Sequence, residues 1–126
     1  MMKKMATVNV IILLLMSVML GAFGQLSMKK GLKNKPIQIN ELASLKIFNT
    51  VFEPNVFLGI LLYIGATLIW LVVLSNAELS YAYPLIALGY IVTTVFSYIY
   101  LGENIVLYRW LGIILIVIGA ILIGRT

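Results

Sequence analysis

Residues 79–124 read LSYAYPLIALGYIVTTVFSYIYLGENIVLYRWLGIILIVIGAILIG, and this stretch decides the fold. It consists of two long apolar runs that are joined by the short polar sequence Gly102-Glu103-Asn104. A helix needs about 20 mostly apolar residues to span a bilayer, and each run has about that length. Because a short connection makes antiparallel neighbours, the stretch predicts two adjacent helices that cross a membrane.

The rest of the chain extends the same pattern. Hydrophobic residues make up 63% of the 126 residues and charged residues only 10%, whereas soluble domains have roughly 45–50% and about 25%. Four apolar stretches are long enough to span, near residues 6–28, 56–74, 79–101 and 105–124, and the last contains one charge, Arg109. We therefore predict an all-α integral membrane protein of the cell membrane, with residues 1–126 forming a single transmembrane domain.

The N-terminal stretch has a second interpretation. Two lysines, an apolar run and the small pair Ala22 and Gly24 resemble a cleaved signal peptide. The apolar run is long for that purpose and a lysine-rich flank follows it, so a retained helix is favoured.

The connectors differ in length. Residues 29–55 form a long one, in which Leu42, Leu45, Phe48 and Phe52 recur at spacings of three and four. With Asn40 as N-cap and Glu53-Pro54 as stop, this spacing predicts a short amphipathic helix in the membrane interface, and the alternative is a partly ordered loop. The other two connectors are short, which predicts that helices two, three and four form a tight up-down unit.

The charges indicate a membrane orientation. The net charge is +5, and five of the nine cations lie in the long connector. Such a cluster beside membrane helices is typical of a topology signal and of contact with anionic lipid, not of a nucleic-acid site. With Arg109, this side carries six cations against Lys3, Lys4 and Arg125 opposite. We expect the long connector in the cytoplasm, and dual insertion is the alternative.

Several kinds of chemistry are not expected. The chain has no Cys and no His, and its four acids, Glu41, Glu53, Glu78 and Glu103, all lie in connectors. We expect no disulfide, metal site, cofactor, catalytic residue or enzymatic activity. A carboxylate-coupled proton antiport is also not expected, because intramembrane ionisable residues usually form such relays.

Candidate binding residues lie at the ends of the helices. Gln25, Ser27 and Lys29 close helix one, where lysine could bind phosphate and the other two could bind sugar hydroxyls. The alternative is that Lys29 and Lys30 anchor the helix by reaching the headgroup region.

Tyrosines and a proline mark helices two and three. Tyr63, Tyr81 and Tyr83 could be interfacial belt residues, but Pro84 directly follows the last of them. A proline lacks the N–H of a helix interior, and broken backbone at membrane depth is tolerated where it lines a cavity. We therefore predict that these four residues line a substrate path.

Helix four carries small residues. Gly112 and Gly119 are seven residues apart, and Ala120 and Gly124 form a small-xxx-small pair. Small residues let membrane helices approach closely, which predicts a dimer interface through Gly112, Gly119 and Ala120. General glycine enrichment of spanning helices is the alternative. Gly102-Glu103-Asn104 is typical of a glycine C-cap, a turn and an N-cap, so Glu103 is interpreted as a turn residue.

The four-helix order and its short motifs resemble a known family. Glycine-glutamine late in helix one, "AYP" opening helix three, "GE" before helix four and "WLG" within it are similar to EamA-type units of the drug/metabolite transporter superfamily. The chain resembles the small multidrug resistance branch and, more closely, the flippase subunits that move aminoarabinose-phosphoundecaprenol.

The resemblance implies a transporter with a small-multidrug-resistance-like bundle. Tyr63 and Tyr83 fall where the multidrug exporters have substrate-facing tyrosines, but the exporters' essential glutamate falls near Gly21 and their tryptophan at Ile86. Gln25 and Pro84 follow the flippase pattern. The implied function is flipping of a lipid-linked sugar or similar amphipathic metabolite by a homodimer or a heterodimer with a similar subunit. Export of small cations, or a non-transporting role in a glycan-assembly complex, is the alternative.

Overall fold

The secondary structure is helical throughout the described part of the chain. A computed structural model describes residues 7–34, 37–41 and 45–126, and it contains no strand in these ranges. Short 3-10 turns form at Ile39–Glu41 and Ile86–Leu88, the second joining two α-helices. The α-helices are α1 (Thr7–Asn34), α2 (Lys46–Val51), α3 (Pro54–Asn76), α4 (Leu79–Leu85), α5 (Gly89–Tyr100) and α6 (Leu107–Gly124).

Four helical segments are long and apolar enough to cross a membrane. They are Val8–Lys33, Pro54–Asn76, Leu79–Tyr100 and Leu107–Gly124, of which the third comprises α4, the 3-10 turn and α5. The prediction of an all-α, multi-pass membrane protein with four spans is confirmed.

The ends of the first and last spans differ from the hydropathy boundaries. The helix α1 continues to Asn34, past the end of the apolar run, because lysines are good helix formers and their long stems let the charge reach the headgroups. Gly102 has a φ of +69°, which confirms the glycine C-cap after α5. The N-cap prediction for Asn104 is wrong, since α6 begins at Leu107 with Val106 as its N-cap.

The long connector is helical only in part. Leu42 lies outside the described residues, and Asn40 lies in the first 3-10 turn instead of capping a long helix. The helix α2 has six residues, and the apolar side chains of Leu45, Phe48 and Phe52 are exposed. Glu53 begins α3: its carboxylate accepts a hydrogen bond from the Val56 N–H (2.9 Å), and Pro54 takes the first helical position.

The most extensive helix–helix contact joins α1 and α3. A Cβ atom built on Gly24 would lie 2.8 Å from the Gly59 carbonyl oxygen, so the two backbones touch where both residues are glycine. The Ser17 hydroxyl donates to the Ala66 carbonyl (2.8 Å), and the Ser27 hydroxyl donates to the Asn55 carbonyl (2.7 Å). Since Ser17 pairs with the later residue and Ser27 with the earlier one, α1 and α3 are antiparallel.

The prediction that helices two, three and four form one tight unit is wrong. The helix α3 contacts the third span little, and α6 packs mainly on α4 and the following 3-10 turn. A short connector fixes only the neighbouring ends of two helices, whereas small residues decide which helices lie close along their length. The buried core lies where the α1–α3 pair meets α4 and α6, and it consists of Val10, Leu14, Val73, Ala82, Leu85 and Ala120.

Candidate functional site

A cavity of about 500 Å³ lies between α1, α3 and the third span. No residue of α6 lines it. The lining residues are Leu14, Ser17, Val18, Gly21, Ala22, Gln25, Leu26 and Lys29 of α1, Tyr63, Ala66, Thr67 and Trp70 of α3, and Ile86, Gly89, Tyr90, Thr93, Phe96, Ser97, Leu101 and Glu103 of the third span and its turn.

One face of α1 runs the whole length of the cavity. Its lining residues extend from Leu14 to Lys29 at spacings of three and four. A helix rises 1.5 Å per residue, so this wall is about 22 Å long, most of the thickness of a bilayer core. Gly21 has no side chain, so the wall is recessed at its middle. A Cβ atom built there would lie 3.8 Å from the Ala66 Cβ atom of α3.

Most hydroxyl groups of the wall are already engaged as donors. The Ser17 hydroxyl bonds to α3, Thr67 donates to the Tyr63 carbonyl, and Ser97 donates to the Thr93 carbonyl. These groups can offer a bound molecule only the lone pairs of their oxygens. The side chains of Gln25, Lys29, Tyr63 and Tyr90 have no hydrogen bond in the described part of the chain, so their donors are available to a ligand.

The three lysines at the end of α1 have different surroundings. The Lys30 ammonium lies 5.4 Å from the centre of the Tyr100 ring, and the Lys33 ammonium donates to the Leu101 carbonyl (3.1 Å). Both contacts hold the end of α1 against the end of α5, as expected of anchoring residues. Lys29 instead lines the cavity and is the one lysine or arginine among its described lining residues.

Glu103 also lines the cavity, which the interpretation of this residue as part of a turn did not foresee. Gly102 reverses the chain in the left-handed conformation, and the Glu103 N–H then donates to the Ser97 carbonyl (3.1 Å). The cavity therefore contains one carboxylate as well as one ammonium group. The available signal was that Glu103 follows the end of the third span, on the same membrane side as Lys29.

The structure brings three of the seven predicted binding residues together. Gln25, Lys29 and Tyr63 line the cavity, whereas Ser27, Tyr81, Tyr83 and Pro84 are not among its lining residues. The Ser27 hydroxyl is used in the α1–α3 contact.

The two tyrosines before Pro84 differ in their surroundings. The Tyr81 ring packs against the buried core, and its hydroxyl is buried without a hydrogen-bond partner in the described residues. The Tyr83 side chain is 64% exposed, with its ring centre 6.2 Å from that of Trp70. Tyr83 is thus next to a lining residue without lining the cavity itself.

Pro84 lies just before a change of helical geometry in the cavity wall. It lies in the last turn of α4, and the chain changes to a 3-10 turn at Ile86, two residues later. Ile86 and Gly89 of this altered segment line the cavity, and Gly89 lies close to Val18. The missing N–H of proline is consistent with this change of helical geometry.

Sequence reasoning did not place several wall residues. Trp70, Tyr90, Thr93 and Phe96 line the cavity, but none of them was predicted as a binding residue. The signal was a stripe at spacings of four and three that begins at Gly89 and continues through Thr93 and Phe96 on one face of α5.

The residues predicted for a dimer interface lie on two different faces of α6. A Cβ atom built on Gly112 or Gly119 would meet no atom within 4 Å, so both glycines face open space. Ala120 is 3% exposed and packs in the core against α4. Residues 112 and 119 are seven apart and share one side of the helix, while residue 120 is turned a further 100° towards the chain's interior.

Comparison with known proteins agrees with this architecture. The family model of the EamA-like transporter family matches residues 1–125. No solved structure matches the chain.

Curated relatives have one recurring description, probable 4-amino-4-deoxy-L-arabinose-phosphoundecaprenol flippase subunit ArnE. The Pseudomonas fluorescens protein is 26% identical over 113 residues, covering 90% of this chain and 95% of the relative. The Yersinia pseudotuberculosis protein is 29% identical over 116 residues, covering 92% and 96%. The Pectobacterium atrosepticum protein is 41% identical, but the match covers 48% of this chain and about half of the relative (53%).

The family model covers almost the entire chain, and the four apolar helices are those of a multi-pass protein of the cytoplasmic membrane. The resemblance seen in the sequence motifs is confirmed: this chain belongs to the EamA-like transporter family.

Proposed function

We propose that this chain is a subunit of a flippase that moves a lipid-linked sugar across the cytoplasmic membrane. The observation that carries the proposal is the cavity, whose wall on α1 is long enough to extend through most of a bilayer core and ends at Lys29, which has no hydrogen bond or ion pair among the described residues. The relatives are described as flippase subunits for an aminoarabinose carried on phosphoundecaprenol, which has the same general chemistry.

The cavity suits the headgroup of such a lipid in size and composition. Its volume of about 500 Å³ falls in the range of small-molecule sites, roughly 300–1,000 Å³. Tyr63, Trp70 and Tyr90 provide flat surfaces with a polar edge, on which a sugar ring can pack. The polyprenyl chain would stay in the bilayer while the headgroup moves along the cavity.

Gln25 and Lys29 are the proposed binding residues for the phosphate. They are four residues apart on the same face of α1, so their Cβ atoms are about 5–6 Å from each other. An ammonium group and an amide N–H₂ at that separation can donate to different oxygens of one phosphate. Lys29 lies near the membrane surface, where the long stem allows its charge to follow the phosphate.

A second subunit is part of the proposal. The helix α6 lines none of the cavity, so one chain supplies walls from only three of its four spans. A second copy, or a similar chain, would complete the path. Gly112 and Gly119 on the open face of α6 are the proposed contact points.

The direction of transport depends on the orientation of the chain in the membrane. The cation count predicts that the long connector lies in the cytoplasm. The natural sequence has no cysteine, so single cysteines can be introduced directly. We expect Lys33→Cys to react with a membrane-impermeant maleimide only after the cells are opened, and Arg125→Cys to react in intact cells. The reverse pattern would contradict the orientation, and equal labelling from both faces would indicate dual insertion.

Flipping of a fluorescent lipid-linked sugar in proteoliposomes tests the function. Lys29→Ala removes a charge-assisted hydrogen bond of roughly 1.5–3 kcal/mol, so we expect a loss of about tenfold or more in rate. Lys30→Ala is the matched control, because the neighbouring lysine contacts the Tyr100 ring and does not line the cavity.

The same assay tests the remaining site residues and the alternative. We expect Gln25→Ala to reduce the rate, and Tyr83→Phe to have a smaller effect, about 0.5–1.5 kcal/mol, if the path extends to that residue. Normal rates in Lys29→Ala and Gln25→Ala would refute the proposed phosphate site. Movement of a quaternary ammonium dye without lipid flipping would instead support the small-cation exporter.

A further inference from the structure

We propose that Glu103 determines headgroup specificity, and that its carboxylate binds a cationic amine on the sugar. The inference rests on the proposed function, and it names the residue that would recognise the amine of the substrate described for the relatives. Together with Lys29, Glu103 would make the cavity selective for a zwitterionic headgroup, in which an ammonium group and a phosphate are carried on the same sugar.

One ammonium group and one carboxylate line the same cavity, and neither is neutralised by a contact among the described residues. Glu103 is the one carboxylate among the described lining residues, and Lys29 is the one lysine or arginine. Neither side chain has an ion pair or hydrogen bond in the described part of the chain. The nearby lysines contact other groups: the Lys30 ammonium lies over the Tyr100 ring, and the Lys33 ammonium donates to the Leu101 carbonyl.

The backbone of Glu103 is held in place. Gly102 has the left-handed conformation that ends α5, and the Glu103 N–H donates to the Ser97 carbonyl. The preceding residue, Leu101, is 9% exposed, and its carbonyl receives the Lys33 ammonium. Because this turn is fixed, binding at Glu103 would need to order only its side chain and not the backbone, which lowers the ordering cost of binding.

The burial of Glu103 makes a neutral headgroup unfavourable in this cavity. The Glu103 side chain is half-buried, and a bound sugar would remove more of its water. An amine on the sugar would restore a charged partner, whereas a hydroxyl or an amide would leave the carboxylate poorly paired. Selectivity then arises from the unfavourable pairing of the wrong substrate as well as from attraction of the right one.

Aromatic residues of the wall offer further favourable surfaces to a cationic amine. Tyr63, Trp70, Tyr90 and Phe96 all line the cavity, and an ammonium group over such a ring is attracted by the negative ring face. A cation entering past Glu103 would therefore meet favourable surfaces further along.

The test compares two lipids that differ in one charge. One is a polyprenyl-phosphate sugar with a free amine, and the other is the same lipid with that amine acetylated. Both are presented to the protein in proteoliposomes, and their flipping rates are measured separately. We expect the natural protein to prefer the free amine by about tenfold, the usual effect of a charge-assisted hydrogen bond.

In E103Q we expect this preference to disappear through a lower rate for the free amine. The rate for the acetylated lipid should stay the same or rise, because the variant no longer leaves a carboxylate poorly paired beside a neutral headgroup, and this retained rate also shows that the variant is folded and inserted. Glu78→Gln is the matched control, because Glu78 is an exposed acid in the other short connector and does not line the cavity. That variant should keep the preference.

The outcomes separate this inference from the proposed function. If the natural protein moves neither lipid, the flippase proposal itself fails. If it moves both lipids at the same rate, or if E103Q keeps the preference even at lower overall rates, the flippase proposal stands and the role of Glu103 is overturned.

Discussion

The glycines of α1 and α3 and those of α6 have opposite surroundings. At Gly24 and Gly59 the two backbones are in contact, and an added Cβ atom would collide with main-chain atoms of the other helix. At Gly112 and Gly119 an added Cβ atom would meet nothing within 4 Å. In the sequence, however, both pairs are glycines inside apolar helices, and motif reasoning assigned a packing role only to the second pair.

The difference shows that a glycine in a membrane helix has at least two meanings. Where the backbones touch, glycine is required by the fold of the single chain, since there is no hydrophobic drive between helices in lipid and close packing must hold them together. Where the surface is open, glycine contributes nothing to that fold. It can only serve a contact outside the chain or none at all.

The largest effect is expected at the crowded pair. A Cβ atom on Gly59 would lie 2.6 Å from the Gly24 carbonyl oxygen and 2.8 Å from the Met28 nitrogen, so α1 and α3 must separate in Gly59→Ala. We expect a loss of about 2–3 kcal/mol in the free energy of unfolding, as for overpacked cores. The measurement is reversible unfolding in mixed micelles.

Gly112→Ala is the matched control for that experiment. It makes the same chemical change in an open position, and alanine is a better helix former than glycine by about 1 kcal/mol. We expect unchanged or slightly raised stability. Equal destabilisation by the two substitutions would show that the α1–α3 contact is not specific in the way described.

The next effect concerns association instead of folding. If a second subunit covers the open face of α6, Gly112→Leu and Gly119→Leu should weaken the dimer by about 1–2 kcal/mol while leaving the monomer folded. Association can be measured by energy transfer between labelled subunits as the protein is diluted in lipid. Unchanged oligomer populations for both variants would remove α6 from the interface. Ala120→Leu would not be a clean probe, because Ala120 belongs to the core of the single chain.

The four spans could be predicted from the sequence because hydropathy is a local property. Long apolar runs at Pro54–Asn76 and Leu107–Gly124 are typical of membrane-spanning helices in a protein so apolar. The Gly102 cap could also be predicted, since only glycine adopts its conformation readily. Which helices lie side by side could not be predicted, because contact between α1 and α3 depends on residues far apart in sequence.

The candidate site could be predicted only in part for the same reason. Lys29 and Gln25 were found because a cation and an amide at the end of an apolar helix are locally conspicuous. Glu103 was interpreted as a turn residue, and that interpretation is correct for its backbone but incomplete for its side chain. Tyr83 was placed on the substrate path through its neighbour Pro84, but the direction of a side chain depends on packing that Pro84 does not specify.

The smallest expected effect lies within the α1–α3 contact itself, at its two serine hydrogen bonds. Ser17 is 9% exposed and lies at membrane depth, whereas Ser27 lies near the end of the span, where water can reach the Asn55 carbonyl. Ser17→Ala should cost about 0.6 kcal/mol, the average for such bonds in membrane proteins, because the Ala66 carbonyl can keep a backbone hydrogen bond within α3. Ser27→Ala should cost less, since water can replace the lost donor. Unfolding of both variants in the same micelles decides the point, and a larger loss for Ser27→Ala would show that water does not replace the lost hydroxyl at the Asn55 carbonyl.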